Sequence, residues 1–269
     1  MKRTFALKLG YDGSGFRGWQ RQPGMVTVQA AVEGALAHLL GKQPVLHGAS
    51  RTDAGVHAEG QVASFATGRA FDPAQLALPS GLRLVEAAEA SSSFHARASS
   101  IGKEYRYRFS WGASAREDRF DLGAEARPDW LRARSALEGL ANLSQLSGLA
   151  SPSKLPKPAP PLTRWSLDEG AGEVALLVSG RAFRKHQIRN LAGHLAVIAL
   201  GLAEPRTLAE LAARTRPWMG ATAPALGLTL LAVHYPPELD PFLPSSLTAR
   251  SGRAACAPPA PERARARPN

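Results

Sequence analysis

Cysteine is almost missing: the 269-residue chain holds one, Cys256. A single thiol excludes an internal disulfide and cannot by itself build a thiolate zinc site, which suits a reducing cytosol. Long apolar runs are missing too. No stretch approaches the roughly 18 to 20 unbroken apolar residues that a membrane span needs. The opening Met1-Lys2-Arg3-Thr4-Phe5 has no apolar secretory h-region, so neither a secreted nor a membrane-embedded protein is expected. Aromatic residues are scarce, at 7%. Acidic residues are in deficit: 22 Asp and Glu face 33 Lys and Arg.

That deficit is a net charge of +11 with a pI near 10.5, which favours a polyanionic partner. A basic tail could create the same figure. Residues 237–269 carry five arginines and three acids, which leaves 28 basic against 19 acidic side chains, or +9, on residues 1–236. The body itself is basic. It shows no strongly amphipathic basic helix of the kind that lies in a headgroup layer. Apolar residues make up 44%, enough for a sizeable core.

Residues 4–11 alternate as a strand does. Thr27 is placed to cap a helix from Val28 to Leu40, with apolar residues at i, i+3, i+4 spacing and Gly41 as its stop. Val45–Ala49, Gln61–Phe65, Arg83–Ala88 and Glu104–Ser110 read as strands. In the last, Tyr105, Tyr107 and Phe109 share one face. Residues 129–143 read as a helix, followed by a stiff surface connection at 151–163 with five prolines. Strands near 163–168 and 173–179, helices near 185–200 and 207–214, and an apolar strand at Gly227–Tyr235 complete the body.

This order predicts an α+β fold of two similar halves, with helices on one face of a mainly antiparallel sheet. The halves are expected at 1–110 and 111–236, with 237–269 as a disordered basic tail rich in Pro, Ala and Arg.

The segment Ser50-Arg51-Thr52-Asp53-Ala54-Gly55-Val56-His57 lies in a loop between two apolar strands, where a scaffold presents side chains well. It resembles the G-R-T-D-A-G-V-H motif of the bacterial tRNA pseudouridine synthase A family. Tyr11-Asp12-Gly13-Ser14-Gly15-Phe16-Arg17-Gly18-Trp19-Gln20 is similar to that family's opening block. Phe94-His95-Ala96-Arg97 with Lys103-Glu104-Tyr105-Arg106-Tyr107, the helix around Gln187-Ile188-Arg189-Asn190, and Gly227-Leu228-Thr229-Leu230 through Val233-His234-Tyr235-Pro236 match further blocks. Five ordered blocks span about 225 residues.

The resemblance implies a cofactor-free, metal-free isomerase that turns uridine into pseudouridine at positions 38 to 40 of the tRNA anticodon arm. It implies a pseudouridine synthase fold with a central cleft, and a cytoplasmic homodimer in which one RNA touches both subunits. Asp53 is implied as the nucleophile and Arg189 as the cation that keeps it ionised in a poorly solvated pocket. Tyr105 is implied to lie against the target base, with Leu228 on the other side of the pocket. Arg51 is implied to fill the gap left by a flipped base, or to grip its phosphate. Arg17, Arg21 and Arg106 are implied to hold RNA backbone, while His57 and His95 are read as structural hydrogen-bonders.

Several positions depart from the family pattern. Ser50 stands where glycine is usual, which matters only if the backbone there needs a positive φ. The middle block is barely recognisable in Gly139-Leu140-Ala141-Asn142-Leu143-Ser144. A paralogue acting on other RNA uridines and an RNA-binding protein with little activity therefore stand as alternatives. A glycosidase would need a second acid beside Asp53, and Glu59 is poorly spaced for that.

Overall fold

The computed structural model describes residues 1–112, 118–124, 127–141, 143–144, 146–152, 158–215, 218, 220 and 222–243. Its strands are β1 (Arg3–Tyr11), β2 (His47–Gly48), β3 (His57–Thr67), β4 (Leu82–Ala90), β5 (Gly102–Ser110), β6 (Phe120–Asp121), β7 (Arg164–Gly170), β8 (Glu173–Gly180) and β9 (Leu228–His234). Its helices are α1 (Val28–Leu40), α2 (Trp130–Glu138), α3 (Gln187–Ala199) and α4 (Arg206–Ala212).

Local chemistry sets most of these boundaries. The Thr27 hydroxyl accepts from the Ala30 amide and starts α1; Gly41, at φ 64°, ends it in the left-handed region that glycine enters most easily. The Asp129 carboxylate accepts from the Leu131 and Arg132 amides and caps α2. In β5, Lys103, Tyr105, Tyr107 and Phe109 point to the buried face and Glu104, Arg106 and Arg108 to the other. The strand expected at Val45–Ala49 shrinks to the two residues of β2, while the one at Gln61–Phe65 lengthens at both ends into β3.

All strands join one sheet in the order β4-β1-β3-β9-β5-β8-β7, with β2 beside β3 and β6 beside β5. Pairing is antiparallel except for β3 with β9 and β5 with β6. This is an α+β architecture with a mostly antiparallel sheet. All four helices contribute to the large apolar cluster that covers one face, through residues such as Leu36, Leu137, Leu191 and Leu208. A smaller cluster of Ala6, Ala49, Val62, Phe94, Ala96 and Tyr235 lies apart from it.

No helix among the described residues is long and apolar enough to cross a membrane. Of the proline-rich connection, residues 153–157 lie outside the described residues. Its far end is anchored: Ala159 is buried and its carbonyl accepts from Leu146 N. Of the tail, residues 244–269 lie outside the described residues, as does Asn142 of the middle block. Tail residues 237–243 are described, and the Phe242 ring there sits 4.4 Å from the Lys8 ammonium.

Candidate active site

The loop from Ala49 to Val56 joins β2 to β3 and is built onto the segment that follows β1. The Trp19 amide donates to the Thr52 carbonyl (3.0 Å), and the Gly55 amide to the Phe16 carbonyl (3.4 Å). The buried hydroxyls of Tyr11 and Thr52 meet at 2.8 Å. Gln61 grips Ser50 from both sides: its Nε2 donates to the Ser50 carbonyl (2.8 Å) and its Oε1 accepts from the Ser50 amide (3.2 Å). Gly13 packs so closely that an added Cβ would run into the Val56 carbonyl. The aromatic and glycine residues of the opening motif thus hold the loop that carries Asp53.

Asp53 meets two side chains from the start of α3, which lies 136 residues away along the chain. Arg189 Nη1 stands 3.2 Å from Asp53 Oδ2. The guanidinium is held from behind, where Nε donates to the Ala223 carbonyl at 2.8 Å. His186 Nε2 lies 3.5 Å from the same Oδ2. The carboxylate side chain is 36% exposed, so the expectation of a poorly solvated pocket is corrected: the free cleft is open, and solvent reaches Asp53.

His186 is the only non-glycine residue with positive φ (59°) among those described. That conformation costs a non-glycine residue about 1–3 kcal/mol and persists only where its surroundings impose it. Burial lowers the pKa of His186, the facing Asp53 raises it, and Arg189 and Lys185 lower it.

Asp53 opens onto a cleft of about 1830 Å³, well above the 300–1,000 Å³ usual for small-molecule pockets. Tyr105 and Leu228 line it, both nearly buried, and so does the exposed Arg51. The Tyr105 hydroxyl lies 2.8 Å from Ser50 Oγ, and its ring meets Phe183 edge to face at 5.3 Å. Burial pushes the Tyr105 phenol up to about 12. Arg97, Lys103, Arg181, Arg184, Lys185 and Arg214 add cations to the cleft walls, and Asp53 is the one carboxylate among the described lining residues. Lys103 is buried with its ammonium 3.3 Å from Ser100 Oγ, and burial lowers its pKa.

The structure therefore brings Asp53, Arg189, Tyr105, Leu228 and Arg51 together. Arg17, Arg21 and Arg106 do not line this cleft. Arg17 is exposed. Arg21 Nη1 is paired with Glu33 at 3.0 Å and Arg106 Nη2 with Glu59 at 2.6 Å. His57 Nδ1 lies 3.2 Å from the Gly13 amide, and His95 Nδ1 accepts from the Arg97 and Ala98 amides. Sequence reasoning gave no site role to His186, to Phe183 or to the Ser50 hydroxyl. For His186 a signal existed: it lies only three residues before Arg189 at the start of the same helix. Among the described residues no group of three or more His, Cys, Asp or Glu side chains is placed to hold a metal ion.

A sheet with helices on one face, enclosing a basic cleft with one clamped carboxylate, goes with a match to the family model described as tRNA pseudouridine synthase over residues 154–236. Curated relatives extend the likeness along the chain. A tRNA pseudouridine synthase A of Acidiphilium cryptum is 37% identical over 254 residues, covering 89% of this chain and 98% of the relative. The proteins of that name from Paramagnetospirillum magneticum (34% identical; 86% and 94% covered) and Neisseria gonorrhoeae (35%; 87% and 93%) align similarly. The chain belongs to the tRNA pseudouridine synthase A family.

Proposed function

We propose that this chain isomerises uridine to pseudouridine in tRNA, with Asp53 as the nucleophile and the anticodon arm, positions 38 to 40, as the target. The observation that carries the reading is the 3.2 Å pair of Asp53 and Arg189 in the lining of a basic cleft. The reaction breaks the bond from ribose C1′ to uracil N1 and joins C1′ to C5. The proton leaves C5 and N1 gains one, so no electrons enter or leave.

Attack needs the carboxylate form of Asp53, and the Arg189 guanidinium pairs with that carboxylate at 3.2 Å. A uridine inside a folded arm is out of reach, so it must be extruded. Tyr105 and Leu228 offer aromatic and apolar surfaces to hold it, and stacking on an aromatic contributes roughly 1–3 kcal/mol per base. Arg51 and the cations lining the cleft bind the surrounding phosphates without reading sequence. A homodimer that presents two such clefts to one RNA is the assembly that we infer, to be checked by sedimentation with and without tRNA.

Unmodified tRNA incubated with the protein and mapped by carbodiimide-based sequencing is expected to gain pseudouridine in the anticodon arm. Signal only at other uridines identifies a paralogue with another target, and no signal identifies an RNA binder. Asp53→Asn is expected to abolish turnover while RNA affinity stays within about tenfold. Retained turnover removes Asp53 from this role.

A further inference from the structure

Two groups approach the same oxygen of Asp53. Arg189 Nη1 stands 3.2 Å from Oδ2 and His186 Nε2 stands 3.5 Å from it, while Oδ1 has no hydrogen-bond partner among the described residues. A carboxylate oxygen only accepts, so a neutral His186 facing it carries its proton on Nε2. Its other nitrogen, Nδ1, is then left as an acceptor, and it lies 3.0 Å from Ser151 Oγ.

The chain of bonds behind Ser151 is consistent with that assignment. Asn190 Nδ2 donates to the Leu149 carbonyl (2.7 Å) and to Ser151 Oγ (3.2 Å). The Leu149 oxygen can only accept, which fixes the orientation of the Asn190 amide; its Oδ1 accepts in turn from the Thr222 hydroxyl at 2.7 Å. Ser151 Oγ accepts a hydrogen bond from Asn190, and its own hydrogen is available to donate to His186 Nδ1. Asn190 is fully buried and lies one residue beyond Arg189 on α3, so the same helix start anchors both groups that face Asp53. The imidazole reaches this place because His186 adopts the left-handed backbone conformation (φ 59°, ψ 2°) at the N-terminal cap of α3.

We propose that His186 is a positioning residue for Asp53: the Thr222–Asn190–Ser151 chain favours the tautomer protonated on Nε2, and that edge of the ring, 3.5 Å from Oδ2, acts with Arg189 to keep the carboxylate turned so that Oδ1 faces the uridine. This rests on the reading of Asp53 as the nucleophile. Second-row groups of this kind act by orienting the group that reacts, and a small misplacement lowers turnover without weakening binding. The groups facing His186 are Asp53 from the loop before β3, Arg189 on α3, Lys185 beside it and Ser151. Adding a second proton to the ring puts a third cation among Lys185 and Arg189 and ties down Oδ2 more strongly, so the neutral ring is the working form.

Asparagine enters the left-handed region more readily than most side chains, so His186→Asn keeps the helix start. With wild-type turnover of tRNA as the reference, His186→Asn is expected to lower kcat at least tenfold with KM and tRNA affinity within about twofold. Ser151→Ala is expected to lower kcat less, and the double variant no further than His186→Asn alone, because the two act through one chain of bonds. Ring nitrogen chemical shifts of ¹⁵N-labelled protein are expected to show Nε2 protonated and Nδ1 as acceptor in His186, with that preference weakened in Ser151→Ala. A wild-type kcat in His186→Asn, a loss confined to KM, additive losses, or an Nδ1–H tautomer overturns the proposal. Absence of pseudouridine from tRNA incubated with the wild-type protein overturns the proposed function instead, and the nitrogen shifts still read the tautomer.

Discussion

The hydroxyls of Ser50 and Tyr105, 55 residues apart in the chain, meet at 2.8 Å on the wall of the cleft. Ser50 stands where the family usually has glycine, and its φ is not positive, so the side chain fits without backbone strain. A glycine there has no hydroxyl to offer. This chain ties its cleft tyrosine to the loop that carries Asp53.

Ser50→Ala isolates that hydroxyl. Tyr105 then keeps a buried phenol with no partner from the loop, and the expected loss of stability is about 1 kcal/mol by urea unfolding. The bond to Ser50 lowers the Tyr105 pKa against the effect of burial, so its removal is expected to move the phenol above its present value of about 12. Ultraviolet titration of the phenolate reads the shift; an unmoved midpoint contradicts the contact.

All four tyrosines, at 11, 105, 107 and 235, are held neutral, with burial the largest cause each time. In the unfolded chain they ionise near pH 10, while in the folded chain Tyr105 does so near 12 and the others higher. The unfolded state releases protons first, so stability is whole below pH 10 and falls as pH rises toward 12 and beyond. Phenolate absorbance is expected to appear together with loss of helical circular dichroism. A tyrosine that titrates near pH 10 in the folded protein would falsify this account.

Arg17 and Arg21 are expected to behave differently. Glu33 is 1% exposed and accepts from Arg21 Nη1, Gln29 Nε2, Gln43 Nε2 and the Leu46 amide. Arg21 itself is half solvated, so Arg21→Ala is expected to cost about 1 kcal/mol of stability or less. Arg17→Ala is expected to leave stability alone and to reduce the salt dependence of tRNA binding by about one phosphate contact. A larger change of salt slope for Arg21→Ala than for Arg17→Ala reverses the assignment.

Gly13 and Gly15 sit two residues apart in the opening motif, yet only one is hemmed in. A Cβ at Gly13 collides with the Val56 carbonyl, whereas at Gly15 it meets nothing within 4 Å. Gly13→Ala is expected to lose about 1–3 kcal/mol and, by shifting the Asp53 loop, on the order of a hundredfold in turnover. Gly15→Ala is expected to stay within about 0.5 kcal/mol and to keep its activity. Equal behaviour of the two variants in thermal unfolding and turnover counts against the buttress.

Most elements were legible because local signals were strong: the Thr27 cap and Gly41 stop delimit α1, and the alternation in β5 assigns its two faces. The two-residue β6 left no trace, since a bridge of that length has no periodicity to read. Strand order was hidden as well, because pairing joins residues far apart, such as His57 of β3 with Thr229 of β9. Residue types and a family likeness singled out Asp53 and Arg189, but only the folded chain sets them side by side. Arg21 and Arg106 read as free cations in the sequence because their partners, Glu33 and Glu59, lie 12 and 47 residues away.

The position of β9 bears on how this protein is made. It lies between β3 and β5, so the hydrogen-bonded path from β4-β1-β3 to β5-β8-β7 runs through it. While a ribosome is still extending the chain, these two groups of strands must each wait with an open edge. They close on one another only after residues near 234 leave the exit tunnel. Until then the halves of the site that supply residues 53 and 189 have no common scaffold, so a partly synthesised product is expected to be inert as well as prone to sticking edge to edge.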